Sequence, residues 1–216
     1  MKLIDQFIGR QIRKPSGLPG RLLGHLMANE HMALVDWMLE PLEISVSDRV
    51  LDVGCGGGMT LRKLQNLVPE GFVAGLDYAP AMVAQARGRN KSAIAAGKMD
   101  VVQGDVAALP FDSASFDIVV GVETLYFWPD PLAGLMEIRR VLKPGGRVAQ
   151  VMDISKPSAE AAVPENVAER MGFRVYAGEE LAALLTEAGF VETRFTAIPE
   201  RAKGWLCAYG TAPALS

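Results

Sequence analysis

The chain has 216 residues, half of them hydrophobic and 22% charged, with a formal net charge of −3. That length buries a full core in one domain, and the composition is that of an ordinary globular protein, which excludes a disordered chain. No segment approaches 18 unbroken apolar residues, which excludes a membrane-spanning helix, and the net acidity argues against nucleic acid as a partner, since phosphate binding shows as a basic patch.

The opening "MKLIDQFIGRQIRKPSG" has neither the apolar run nor the small-residue cleavage site of a secretory signal, so a cytoplasmic location is expected. Between Met1 and Gly24 the basic residues Lys2, Arg10, Arg13, Lys14 and Arg21 face one acid, Asp5. A solvated helix face with a basic terminus, a contact with an acidic ligand and a contact with an anionic lipid surface all fit that pattern. Pro15, Gly17, Pro19 and Gly20 interrupt the segment, and "RLLGHLMANEHMALVDWMLEPL" then carries apolar residues at helical spacing. Residues 1–45 are predicted to form a helical lead-in, and residues 46–216 one α/β unit.

From Arg49 the pattern changes. The β-rich runs "RVLDVG", "GFVAGLD", "DVVQGD", "FDIVVGV" and "GRVAQVMD" alternate with helical segments such as "APAMVAQARGRNKSAIAAG" and "PLAGLMEIRRVL". Five such alternations predict a doubly wound, mostly parallel sheet covered on both faces. "LKPGG" reads as a helix stop and turn. Asp117 reads as an anchor for the start of its strand, and residues 155–166 as a loop. "AGEELAALLTEAGF" predicts a helix closed by Gly189 in a left-handed cap. "VETRFTAI" and "GWLCAYGTA" follow with too short a connection for a parallel crossover, so the sheet is predicted to end in an antiparallel hairpin.

"VLDVGCGGG", residues 50–58, places four glycines where the first strand meets its helix, the position at which open α/β sheets bind ligands. Glycine allows a tight turn and a close approach to main-chain N–H groups. Asp77 ends the second strand 19 residues beyond Gly58, near the spacing of an acid that accepts both hydroxyls of a ribose. The pair predicts an adenosine-type ligand. The third glycine comes earlier than in the dinucleotide fingerprint, and Asp52 stands where a carboxylate would repel a pyrophosphate yet suit an ammonium group. S-adenosylmethionine is therefore the expected cofactor and NAD, in an oxidoreductase, the alternative.

From Arg49 to Val151 the chain resembles the class I, Rossmann-like S-adenosylmethionine-dependent methyltransferases. "VLDVGCGGG", "GLDYAPAMVAQAR", "VVQGDVAALPF", "FDIVVGVETLYFWPDP" and "EIRRVLKPGGRV" are similar, in order, to the motifs of that family. The resemblance implies a seven-stranded sheet of order 3-2-1-4-5-7-6 with the last strand antiparallel, and an N-terminal helical lid. It implies a cofactor site of Asp52, Gly54, Cys55, Gly56, Asp77, Tyr78, Met82, Asp105, Val106 and Val122, with Asp77 on the ribose, Tyr78 and Met82 lining the adenosine, and Asp105 and Val106 on the adenine. Cys55 reads as a small packing residue in the loop rather than a nucleophile.

Methyl transfer from a sulfonium needs the acceptor held in line, and a base only where the nucleophile must lose a proton. In many small-molecule members the segment after the fourth strand carries two histidines, and here Tyr126 and Phe127 stand in their place, followed by Trp128. The change removes the obvious base and suggests an aromatic wall for a planar or cationic acceptor. Glu123, Tyr126 and His31 are the candidate catalytic residues. His25 and His31 are six apart in the lead-in, so at most one would point inward. No metal is expected, because Cys55 and Cys207 have no ligand-type neighbour at metal spacing. The expectation is a small-molecule methyltransferase of the ubiquinone and menaquinone methylase type, a monomer or homodimer without stable membrane insertion, its acceptor atom open. A non-catalytic S-adenosylmethionine-binding protein is a further alternative.

Overall fold

The computed structural model describes residues 32–159, 174–201 and 204–214. Helix α1 (Met32–Leu39) precedes strand β1 (Arg49–Val53), followed by α2 (Met59–Leu67), β2 (Phe72–Asp77), α3 (Pro80–Arg89), α4 (Lys91–Ala95), β3 (Met99–Gln103) and β4 (Phe116–Val122). A single 3-10 turn (Leu125–Phe127) leads to α5 (Pro131–Val141), β5 (Leu142–Met152), α6 (Gly178–Glu187), β6 (Val191–Ile198) and β7 (Trp205–Thr211).

The strands form one seven-stranded sheet in the order β3-β2-β1-β4-β5-β7-β6, as the sequence implied. Strands β1 to β5 pair parallel, and β7 inserts antiparallel between β5 and β6. Residues Val50–Val53 of β1 are buried without alternation, because helices cover both faces of a parallel sheet. On one face Leu34, Val35 and Met38 of α1, Leu61 and Leu64 of α2 and Val83 and Ala86 of α3 meet Val50, Val73, Ile118 and Val120. On the other, Leu135 and Ile138 of α5 and Leu181 and Leu185 of α6 meet Leu51, Ala74, Val119 and Val148.

Local chemistry sets the helix ends. Asp130 caps α5 by accepting from the Ala133 N–H at 3.0 Å, with Pro131 at the first helical position, where its missing N–H does no harm. Gly189 closes α6 at φ 89°, the left-handed stop expected of it. Asp117 anchors its strand as read from sequence: it accepts from the Arg49 backbone N–H at 2.9 Å and from Lys143 Nζ at 2.7 Å.

Three expectations change. "APAMVAQARGRNKSAIAAG" is two helices, broken at Asn90, whose φ of −108° and ψ of 17° leave the helical region. "LKPGG" belongs to β5 as an irregularity: Leu142 pairs with Phe116, the next pair is Arg147 with Ile118, and the intervening residues bulge out with Gly145 at φ 77°. Of the helical lead-in, residues 1–31 lie outside the described residues, with His25, His31 and the basic stretch. Its last helix, α1, is core: Leu34 and Met38 are fully buried, and Tyr209 Oη donates to the Met38 carbonyl at 3.3 Å.

Candidate active site

The loop between β1 and α2 lies at the carboxyl edge of the sheet, beside the strand ends of β2 and β4. Gly54, Gly56 and Gly58 have φ of 76°, 51° and 78°, a region that costs any other residue about 1–2 kcal/mol. The Gly54 and Cys55 N–H groups both donate to the Leu76 carbonyl, at 2.7 and 3.0 Å. This lashes the loop to the end of β2. At Gly54 a Cβ would come 2.3 Å from Thr124 Oγ1, whereas at Gly56 it would meet nothing within 4 Å, so the loop is open to a ligand at Gly56.

Two carboxylates stand beside the loop. Asp52 pairs with Gly75 in register, and side chains alternate along a strand, so Asp77, two residues beyond Gly75, shares the sheet face of Asp52. Asp77 Oδ2 accepts from the Gly56 N–H at 2.9 Å and Oδ1 from the Ala79 N–H at 2.8 Å. Burial nevertheless lifts its pKa, against the pull of those two bonds. Asp52 is 1% exposed, and neither of its carboxylate oxygens has a hydrogen-bond partner. Burial, reinforced by the neighbouring Asp77 charge, pushes its pKa up to about 8. A fully buried, unpartnered carboxyl costs several kcal/mol unless it is neutralised or meets a cation. Asp52 is thus a ready partner for an ammonium group, with Asp77 and the open Gly56 adjoining.

The remaining residues named from sequence fall into two groups. Tyr78 is 55% exposed directly beyond Asp77, Met82 is buried in α3, and Val122 is half-buried at the end of β4. Asp105 is exposed, its Oδ1 accepting from the Ala107 N–H at 2.9 Å, and Val106 is buried against the α5 side of the sheet. Cys55 is buried, and burial together with Asp52 and Asp77 raises its thiol pKa well above the ordinary value. A neutral, enclosed thiol is a packing group and no nucleophile.

On the acceptor side, Glu123 follows β4 with φ 52° and donates its N–H to the Val151 carbonyl at 2.8 Å. Tyr126 is buried in the core cluster, its ring 4.6 Å from that of Phe127 in an edge-to-face pair. Burial, then the charges of Glu123 and Asp153, hold its phenol well above the usual value, so at neutral pH it keeps its proton and is no general base. Trp128 has its ring over Gly134 of α5, and its Nε1 donates at 3.0 Å to Thr124 Oγ1, whose side chain crowds Gly54. Among the described residues, no group of three or more His, Cys, Asp or Glu is placed to hold a metal ion, and no helix is long and apolar enough to cross a membrane.

Sequence reading missed Thr124, Arg89 and Asn90. Thr124 crowds Gly54 from the end of β4. Arg89 donates to the Gly57 carbonyl, and Asn90 Nδ2 donates to the Gly58 carbonyl at 3.0 Å. No motif marks them, because each acts across a gap in sequence closed only by the fold.

The methyltransferase domain family matches residues 51–150. An uncharacterized methyltransferase of Bacillus subtilis, YdaC, is 30% identical over 144 residues, spanning 67% of this chain and 76% of the relative. The chain belongs to the methyltransferase domain family. Demethylmenaquinone methyltransferase of Lactococcus lactis is 42% identical over 100 residues, 46% of this chain and 39% of the relative. A methyltransferase solved in complex with the Trm112 methyltransferase activator of Haloferax volcanii superposes with a TM-score of 0.77 at 25% identity, over 88% of this chain and 93% of that one. The chain spans about half the length of several curated relatives that it matches, 46% and 62% of two of them. The methyltransferase family depends on S-adenosylmethionine, as the motifs implied, and the NAD-dependent alternative finds no counterpart in these relatives.

Proposed function

We propose that this methyltransferase-family chain transfers a methyl group from S-adenosylmethionine to a small-molecule acceptor. The observation that carries the reading is the buried, unpartnered Asp52 beside Asp77 and the open Gly56 turn. Asp52 is the counter-ion of the cofactor's ammonium group. Asp77, whose carboxylate has acceptor capacity left after its two backbone bonds, takes the ribose hydroxyls. The backbone at Gly54, Cys55 and Gly56 gives close approach. Tyr78, Met82 and Val122 flank the adenosine, and Asp105 and Val106 flank the adenine.

When bound, the cofactor supplies a methyl group already activated on a sulfonium. The protein's own task is to hold the acceptor in line. Glu123 and Asp153, at the ends of β4 and β5, are the carboxylates on that side. Glu123 is assigned the acceptor contact, and its left-handed backbone supports this, since such conformations gather at functional sites. Tyr126, kept neutral, orients by donating a hydrogen bond from its hydroxyl and takes no part as a base. The small-molecule class is supported by relatives such as the demethylmenaquinone enzyme, and by the absence of an inserted substrate domain between β1 and β5.

Calorimetric titration with S-adenosylmethionine, S-adenosylhomocysteine and NAD in parallel tests the reading. Binding of the first two and not the third is expected. Asp77→Ala is expected to weaken binding by about 1–3 kcal/mol, the loss of a charged acceptor. Unchanged affinity in that variant would overturn the site, and a screen that finds no methyl transfer to any acceptor would favour a binding-only protein.

A further inference from the structure

The four glycines of the loop divide by what occupies the space where a side chain would stand. At Gly56 there is open space, but at Gly57 a Cβ would lie 2.9 Å from Arg89 Nη1 and 3.1 Å from Gln85, and at Gly58 it would lie 2.6 Å from Asn90 Nδ2 and 2.9 Å from Ala86. The second pair therefore accommodates α3 packed behind the loop. We infer that Asn90, assisted by Arg89, is a positioning residue that sets cofactor affinity by gripping the glycine loop from the side away from the ligand. The inference rests on the assignment of this loop as the cofactor cradle.

The carbonyls of Gly57 and Gly58 are the handles. Arg89 Nη1 donates to the first and Asn90 Nδ2 to the second at 3.0 Å, while Asn90 Nδ2 also donates to the Ala86 carbonyl at 2.9 Å and so is tied to its own helix. Asn90 is 5% exposed, and its backbone ends α3 and begins α4. Breaking a helix alone would be served by glycine. The amide adds a donor that reaches back 32 residues in sequence to Gly58.

The Gly58 N–H donates within the loop itself, to the Cys55 carbonyl at 3.0 Å, so the side-chain donors are what tie this end of the loop to α3. Helix α2 starts from Gly58 without a side-chain cap, and a run of glycines loses more conformational freedom on ordering than any other sequence. On the ligand side Asp77 holds only Gly56. Without the Asn90 and Arg89 donors, the Gly57 and Gly58 carbonyls lose their side-chain anchors and this end of the cradle is held less firmly, while Gly54, Cys55 and Gly56 stay tied to β2 by their own bonds. Ligand binding must then order that end of the loop, and affinity falls with no contact to the ligand removed.

Calorimetry with S-adenosylhomocysteine on the full chain tests the grip, using Asn90→Leu, Arg89→Met, Arg89→Lys and Asp77→Ala, with thermal unfolding of each. Asn90→Leu fills the same space without a donor and is expected to raise Kd about tenfold. Arg89→Met is expected to raise it several-fold, and Arg89→Lys to restore most of the loss. A residue serving only stability lowers the unfolding temperature and leaves Kd of the folded protein unmoved. That outcome, with Asp77→Ala impaired, overturns the grip and spares the cofactor site. Unchanged Kd in Asp77→Ala as well overturns both. Should Asn90→Leu not fold, the two Arg89 variants decide by the same comparison.

Discussion

Asp52→Asn separates the electrostatics of the site from its shape. The amide keeps the outline of the carboxyl and removes its titration. In the wild-type protein the carboxyl moves from 3.8 when exposed to about 8 when buried. The folded state therefore holds a proton that the unfolded state has lost throughout the interval between those values, so folding stability falls as pH rises across it. At about 1.4 kcal/mol per pH unit, the decline from pH 5 to pH 8 amounts to about 4 kcal/mol. Urea unfolding of both proteins at successive pH values measures it. Asp77, also raised by burial, contributes to both profiles with the same sign, so the difference between them reports Asp52 together with its coupling to Asp77. The variant is expected to match the wild type near pH 5 and to exceed it by several kcal/mol near pH 8. Parallel profiles would refute the assignment of a buried, proton-holding Asp52.

The same substitution has the opposite effect on the ligand. An arriving ammonium group makes the carboxylate the favoured form, so S-adenosylhomocysteine binding at pH 7 is expected to release a proton in the wild type and none in Asp52→Asn. Calorimetry in two buffers of different ionisation enthalpy reads this directly. Equal buffer dependence in both proteins would mean that Asp52 does not meet the ligand's cation.

Three further outcomes follow from the geometry. Tyr126→Phe is expected to keep the alkaline limb of the pH–rate profile in place, because a phenol held well above its ordinary pKa loses no proton in the working range; a displaced limb in that variant would restore it as a base. Gly58→Ala combines φ 78° with a Cβ 2.6 Å from Asn90 Nδ2 and is expected to cost more than about 1 kcal/mol of stability, read by chemical denaturation. Asp117→Ala removes the partner of Lys143 and of the Arg49 N–H at the opposite end of the strands; it is expected to cost about 1–2 kcal/mol of stability while S-adenosylhomocysteine affinity stays unchanged.

The legible features of the sequence were those with a local cause. Alternating β-rich and helical periods predicted the order of elements, since a parallel sheet covered on both faces demands continuous apolar strands and helices between them. "VLDVGCGGG" and Asp77 marked the turn at the carboxyl edge of the sheet, because a tight turn needs glycine and Asp77 holds it through the Gly56 N–H. The short connection at Pro199 was enough to predict the hairpin. Helix breaks and bulges were less legible: nothing local at Asn90 or "LKPGG" distinguishes a cap or bulge from a continued helix or a turn.

The tertiary structure decided everything that depends on surroundings. Asp52 and Asp77 look alike in sequence, yet Asp77 has two backbone donors and Asp52 none, because the fold buries Asp52 within β1 and sets Asp77 at the strand end, beside the turn N–H groups of Gly56 and Ala79. Tyr126 carries the same phenol wherever it stands, and its place in the core cluster, beside Glu123 and Asp153, is what raises its pKa further still. Arg89, Asn90 and Thr124 acquire their grip on the glycine loop when α3 and the end of β4 pack against it. Sequence sets which groups the chain carries and how far apart they lie along it, whereas desolvation and hydrogen-bond partnership are set by distances in space, and those exist only once the chain is folded.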